Sequence, residues 1–172
     1  MSGAAGGHSQ FSHIAVSVAD LRRSADFYTE VFGFARGRPY AAVGRRVASL
    51  MEADSRGFEA LFLRLGPMLL ELIEHACPQT RDTVPRPAVE VGLAHLSFIV
   101  DDLAETIRRI ESSGGRMRTR IRYEFDAGTP TEIAFGTDPD GNRIELIFQP
   151  GDAAARAHAS FLGIEDLRWP DS

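Results

Sequence analysis

The chain repeats itself. His13-Ile14-Ala15-Val16-Ser17-Val18-Ala19-Asp20-Leu21 is matched 82 residues further on by His95-Leu96-Ser97-Phe98-Ile99-Val100-Asp101-Asp102-Leu103, and the same spacing sets Gly33 on Gly115. Later, Leu70-Glu71-Leu72-Ile73 is matched by Ile144-Glu145-Leu146-Ile147 at a spacing of 74. Such a pattern restricts the fold to two copies of one supersecondary unit. The smaller second spacing means that the first copy has the longer middle.

Each copy can be read from its periodicity. Residues 13 to 18 alternate as a strand, with Ile14, Val16 and Val18 on one face and His13, Ala15 and Ser17 on the other. Asp20 is placed to cap a helix in which Leu21, Ala25, Tyr28 and Phe32 share a stripe, and Gly33 supplies the stop. Residues 34 to 50 suggest a turn and at least one strand. Phe58 to Leu65 and Met68 to Glu74 read as strands joined by the turn at Gly66-Pro67. In the second copy Ala94 to Val100 is a strand. Asp101 or Asp102 caps a helix carrying Leu103, Ile107 and Ile110, and Gly114-Gly115 ends it. Residues 116 to 123 alternate again. Thr131 to Phe135 and Arg143 to Phe148 close the unit around the turn Asp138-Pro139-Asp140-Gly141. Each copy is therefore βαβββ, and two of them make an α+β fold. The expected organisation is a tail over 1–10, a first module over 11–76, a linker over 77–91 with Pro78, Pro85 and Pro87, a second module over 92–150 and a C-terminal extension over 151–172.

Composition removes several functions. The net charge is −5, the wrong sign for a general nucleic-acid binder. There is no lysine, which excludes Schiff-base chemistry on a Lys amine. Cys77 is the only cysteine, so neither an internal disulfide nor a thiolate cluster can form, and the composition suits a reducing cytoplasm. No apolar run approaches the ~18 residues that span a membrane, and residues 1–7 do not read as a signal peptide.

Four residues then stand out. His13 and His95 occupy one place in the two modules, and Glu71 and Glu145 another. Their apolar neighbours Leu70, Leu72, Ile144 and Leu146 point to the opposite face, which should cover the helix. A carboxylate facing a cavity needs a partner, because an unpaired buried charge is expensive. One divalent ion would provide it, and two imidazoles with two carboxylates suit Zn, Ni, Co, Mn or Fe(II), with positions left open for water or substrate. Further candidates are Arg116, Arg118, Arg120 and Arg122. Their alternation would set four guanidinium groups on one strand face, either as an anion clamp or as a solvated surface. Ser17 and His75 lie on the same strand faces as His13 and Glu71 and complete the substrate-side candidates.

The segments Ser12 to Phe34, Ala94 to Val100 and Phe135 to Phe148 (FGTDPDGNRIELIF) resemble the vicinal oxygen chelate superfamily, also called glyoxalase / bleomycin resistance / dioxygenase. Within it the chain is similar to glyoxalase I and methylmalonyl-CoA epimerase, from Phe11 to Pro150. The resemblance implies a cupped mixed sheet built by the two βαβββ modules around one metal, with His13, Glu71, His95 and Glu145 as ligands. It also implies a homodimer and a small-molecule substrate that chelates through two neighbouring oxygens. The implied activity is that of a metal-dependent lyase, isomerase or epimerase, moving a proton at carbon through a metal-stabilised enediolate. Glu145 would carry the proton and Glu71 would be the more static ligand. The Arg and Asn with which glyoxalase I holds glutathione are replaced here by Ser17 and His75. The strand that bears an extra catalytic Glu in the epimerase would fall near Val47 to Leu50, which holds none, with Glu52 nearby. Two other functions stay open: an extradiol-type dioxygenase with iron on His13, His95 and Glu145, and a metal-free protein that binds an antibiotic or other small molecule.

Overall fold

A computed structural model of the chain describes residues 9–51, 57–76, 89–125 and 129–149. Most of the expected tail and linker, Glu52, Cys77 and the C-terminal extension lie outside the described residues. The chain divides into two compact units that part near residue 80, except that residues 30–32, at the end of the first helix, group with the second unit. In the first, β1 (Ile14–Val18), α1 (Leu21–Phe32), β2 (Ala35–Val43), α2 (Arg45–Leu50), β3 (Gly57–Leu65) and β4 (Met68–His75) follow in order. In the second come β5 (Leu96–Ile99), α3 (Leu103–Ser112), β6 (Arg116–Phe125), β7 (Thr129–Thr137) and β8 (Arg143–Phe148). The sheets have matching topology, β1-β4-β3-β2 and β5-β8-β7-β6, with the first pair of each parallel and the rest antiparallel. These are the two βαβββ modules of a mixed-sheet α+β fold.

The helices start and stop where their end groups can be satisfied. Asp20 accepts the Arg23 N–H at 2.8 Å, and Glu74, reaching over from β4, accepts the Leu21 N–H at 2.7 Å. Two carboxylates thus meet the unpaired donors of the first turn of α1. Gly33, at φ 76°, turns the chain left-handed at the other end. Asp102, not Asp101, caps α3, through the Glu105 N–H at 2.9 Å. Leu21, Ala25, Phe27, Tyr28 and Val31 are buried, as are Leu61, Leu63, Leu70 and Leu72 on one face of the sheet. In the second unit Leu103 and Ile110 of α3 are buried, together with Ala134, Ile144 and Leu146. Each large apolar side chain buried in this way contributes about 1.5–3 kcal/mol.

Two expectations change. The segment 34–50 holds the anticipated strand, β2, but Val47 to Leu50 lie in the helix α2 rather than in a strand. The arginine alternation is also broken. The β6 register to β7 shifts between Met117 and Thr119, so an extra residue at Arg118 inverts the facing of the strand residues after it. Arg116 is opposite Thr137 and shares the face of Arg143 and Glu145, whereas Arg120 is opposite Ala134 and Arg122 opposite Glu132, on the other face. Arg120 donates to Glu132 on that face, with Nε 2.8 Å from the carboxylate. The four guanidinium groups form no single stripe.

The bulge explains Gly136. A Cβ there would lie 2.6 Å from Met117 Sδ and 2.7 Å from the Arg116 carbonyl oxygen, so the strand must shift to admit even a methyl group. Gly136→Ala is expected to lower stability by about 1–3 kcal/mol, the range for overpacking, read as a fall in the urea midpoint with an unchanged slope. Beside it, the buried Asp138 carboxylate ties the turn that leads into β8. It accepts the Asp140 and Asn142 backbone N–H groups at 2.9 and 2.8 Å and the Asn142 side-chain amide at 2.8 Å. This turn sets the β8 register, and with it the position of Glu145.

Candidate metal centre

Strand register brings the two residues of each repeat-related pair together. In the first unit the parallel β1–β4 pairing sets Ala15 opposite Glu71, so His13, just before β1, lies on the face of Glu71. His13 Nε2 is 3.2 Å from Glu71 Oε2. Ser12 Oγ contacts the other ring nitrogen, Nδ1, at 2.9 Å and so orients the imidazole. In the second unit Ser97 is opposite Glu145, and His95 Nε2 is 3.3 Å from Glu145 Oε2. An aromatic ring stands edge-on to each imidazole: Phe62 to His13 at 5.2 Å between centroids, and Phe135 to His95 at 5.6 Å. Among the described residues, no group of three or more His, Cys, Asp and Glu side chains is close enough to hold a metal ion; each unit presents one pair.

The surroundings of the two carboxylates differ. Tyr40 of β2 is opposite Ala60, which in turn is opposite Ile73, so Tyr40 shares the face of Glu71. Its ring lies at 5.9 Å from Phe62 and 6.1 Å from Phe58, and its hydroxyl donates to Glu71 Oε1. Burial, then the hydrogen bond to Glu71 and its negative charge, push the Tyr40 phenol up to about 12, which keeps it a donor at neutral pH. In the second unit Ser97 Oγ donates to Glu145 Oε2 at 2.6 Å.

Of the other candidates, Ser17 is exposed and opposite Ile73, two residues along the strand from the Glu71 position. His75 ends β4, where its ring is 6.3 Å from Phe58. Arg118 sits at the bulge, and Arg120 and Arg122 lie on the face away from Glu145. Tyr40 and Ser97 escaped the sequence reading. Ser97 could have been found, since it follows His95 by two residues in a strand and so faces the same way. Tyr40 carried no such signal, because the periodicity of its strand is interrupted by a register shift between Arg36 and Pro39.

Two βαβββ units of matching topology, each with a His–Glu pair at corresponding places, define a paired-module fold. The sequence profile of the glyoxalase/bleomycin resistance protein/dioxygenase superfamily matches residues 10–146, and the chain belongs to that superfamily. It is 33% identical over 137 residues to a lactoylglutathione lyase of Shigella flexneri, covering 78% of this chain and 89% of that protein. It is 31% identical over 153 residues to a 2-epi-5-epi-valiolone epimerase of an Actinomyces species, covering 82% of this chain and 80% of the epimerase. Among solved structures, the trypanothione-dependent glyoxalase I of Leishmania major superposes with a TM-score of 0.58 at 25% identity, over 91% of this chain and 99% of that one. A glyoxalase family protein from Bacillus cereus shares the fold with a TM-score of 0.71 at 18% identity, over 87% of this chain and all of the other.

Proposed function

We propose that this protein is a metal-dependent isomerase, epimerase or lyase that moves a proton at carbon on a small substrate bearing two neighbouring oxygens. The observation that carries this reading is the duplicated His–Glu pair, with Nε2–Oε2 separations of 3.2 and 3.3 Å at repeat-equivalent places. Each pair offers one nitrogen and one carboxylate donor, and two pairs supply the mixed set that a divalent ion of the Zn, Ni, Co, Mn or Fe(II) kind accepts. His13, Glu71, His95 and Glu145 would hold it. The bound ion would supply Lewis-acid polarisation of the substrate's two oxygens.

The chain's own groups do the rest. Ser12 holds His13 with Nε2 turned to Glu71. Phe62 and Phe135 pack edge-on with the imidazoles and help to fix the ring planes. Glu145 takes the proton from the carbon beside a substrate carbonyl and returns it on the same face to the neighbouring carbon for an isomerisation; an epimerisation needs in addition a proton donor on the opposite face. The lactoylglutathione lyase and epimerase relatives support a reaction of this kind. The edge strands β1, β2, β5 and β6 support a homodimer, since a working protein covers or pairs such edges.

The reading is tested by incubating the purified protein in deuterium oxide with a panel of 2-oxo acids, 2-hydroxy acids, thioesters, hemithioacetals and cyclic ketoses. At least one member is expected to exchange hydrogen at carbon, dependent on divalent metal and without oxygen uptake. Oxygen consumption with a catechol in place of exchange would mean a dioxygenase. Tight binding with neither would mean a binding protein.

A further inference from the structure

Glu71 and Glu145 hold equivalent positions, yet their carboxylates are not equally constrained. Both oxygens of Glu71 are engaged: Oε2 faces His13 Nε2 at 3.2 Å and Oε1 accepts the Tyr40 hydroxyl. Glu145 receives both of its contacts on one oxygen. Its Oε2 accepts from Ser97 at 2.6 Å and lies 3.3 Å from His95 Nε2. The sequence accounts for the difference. Ala15 is opposite Glu71 where Ser97 is opposite Glu145. The strand position of Tyr40, opposite Ala60 and Ile73, corresponds in the second unit to Ile121, opposite Ile133 and Ile147. Isoleucine has no donor, and Ile133 replaces the single methyl of Ala60.

We propose that Tyr40 is a positioning residue that fixes the division of labour between the two carboxylates. By engaging Glu71 Oε1 it holds that residue as a static ligand, and Glu145, whose Oε1 meets no donor among the described residues, is left to move the proton. This inference rests on the metal and proton-transfer reading above.

The physical argument has two parts. A carboxylate acts as a base through an oxygen that must swing to the substrate carbon, and a phenol donating to that oxygen takes one of its lone pairs and holds it in place. The phenol must also be fixed. Tyr40 is fixed by its ring, which lies against Phe62 with an interplanar angle of 17° and edge-on to Phe58 at 84°. Ala60, in register with Tyr40 on β3, has too small a side chain to displace the ring.

Tyr40→Phe keeps the ring and removes only the hydroxyl. Its far-UV and near-UV circular dichroism should match wild type. Two quantities are then measured: Co(II) affinity from visible absorbance, and carbon–hydrogen exchange with deuterium in the wild-type and Glu145→Gln backgrounds. Co(II) is expected to bind roughly 10-fold or more weakly, the scale for losing a hydrogen bond that orients a ligand. Exchange in Glu145→Gln is expected to rise several-fold when Tyr40→Phe is added, because the released Glu71 can then reach carbon. The inference is overturned if the double variant exchanges no faster than Glu145→Gln, whatever happens to Co(II) affinity, since Tyr40 would then do no more than support a ligand. A wild-type protein that takes up no Co(II), or exchanges no substrate hydrogen, removes the underlying reading instead, and that outcome is distinct.

Discussion

Glu145→Gln is expected to retain most of the affinity for metal and to lose ~10²-fold or more of the carbon–hydrogen exchange, the usual scale for a positioned general base. The amide keeps the shape of the side chain and one oxygen that can accept from Ser97, which donates to the carboxylate at 2.6 Å in the native protein. What it lacks is a lone pair basic enough to take a proton from carbon. Glu71→Gln should behave in the opposite sense. Both oxygens of Glu71 are in use, one towards His13 and one by the Tyr40 hydroxyl, and an amide can replace only one of them as an acceptor. Its main loss should be in metal affinity, with exchange per bound ion close to wild type. If Glu71→Gln abolishes exchange at full metal occupancy while Glu145→Gln does not, the roles are reversed. Wild-type exchange in both variants would mean that proton transfer by these carboxylates is not the chemistry.

The second large effect is on the imidazoles. His13→Ala and His95→Ala each remove a nitrogen donor and leave the paired carboxylate without the Nε2 atom that lies 3.2 or 3.3 Å from it. Loss of an outer hydrogen bond already costs roughly 10–100-fold in metal affinity, and loss of a donor should exceed that. The fold should persist. The edge-on contacts with Phe62 and Phe135 contribute about 0.5–1.5 kcal/mol each, and a single domain tolerates that deficit. Competition titration against a chelator, with circular dichroism as the fold control, separates lost ligation from lost structure. Wild-type affinity in both variants would remove the histidines from the site.

Much of this was legible in the sequence, because the repeat duplicates the evidence. The alternation in residues 13 to 18, the Asp20 cap, the Gly33 stop and the segment Arg143 to Phe148 each report a local preference that the tertiary structure also uses. That His13, Glu71, His95 and Glu145 face away from their apolar neighbours was legible from side-chain parity along a strand. The contact of each His with the Glu of its own unit, however, depends on the parallel β1–β4 and β5–β8 register, which no spacing in the chain reports. What failed were the places where parity breaks. One extra residue at Arg118 divides the arginines between two faces, and no residue type announces a bulge. The shift between Arg36 and Pro39 likewise obscured β2, and Tyr40 with it. The partner of Tyr40 is two strands away, so contact between them depends on the β2–β3–β4 register and not on any spacing in the chain. Helix α2 was missed because its six residues are too few to show a helical period.

The metal is the claim on which the proposed chemistry depends. It is tested most directly by elemental analysis of the native protein and of His13→Ala and His95→Ala, each taken from a size-exclusion peak whose mass is measured by light scattering. The proposed site requires close to one divalent ion per chain in a wild-type particle of twice the chain mass, and little or none in either variant. A wild-type protein that emerges folded and metal-free, and stays so after exposure to Zn, Ni, Co, Mn and Fe(II), would contradict it.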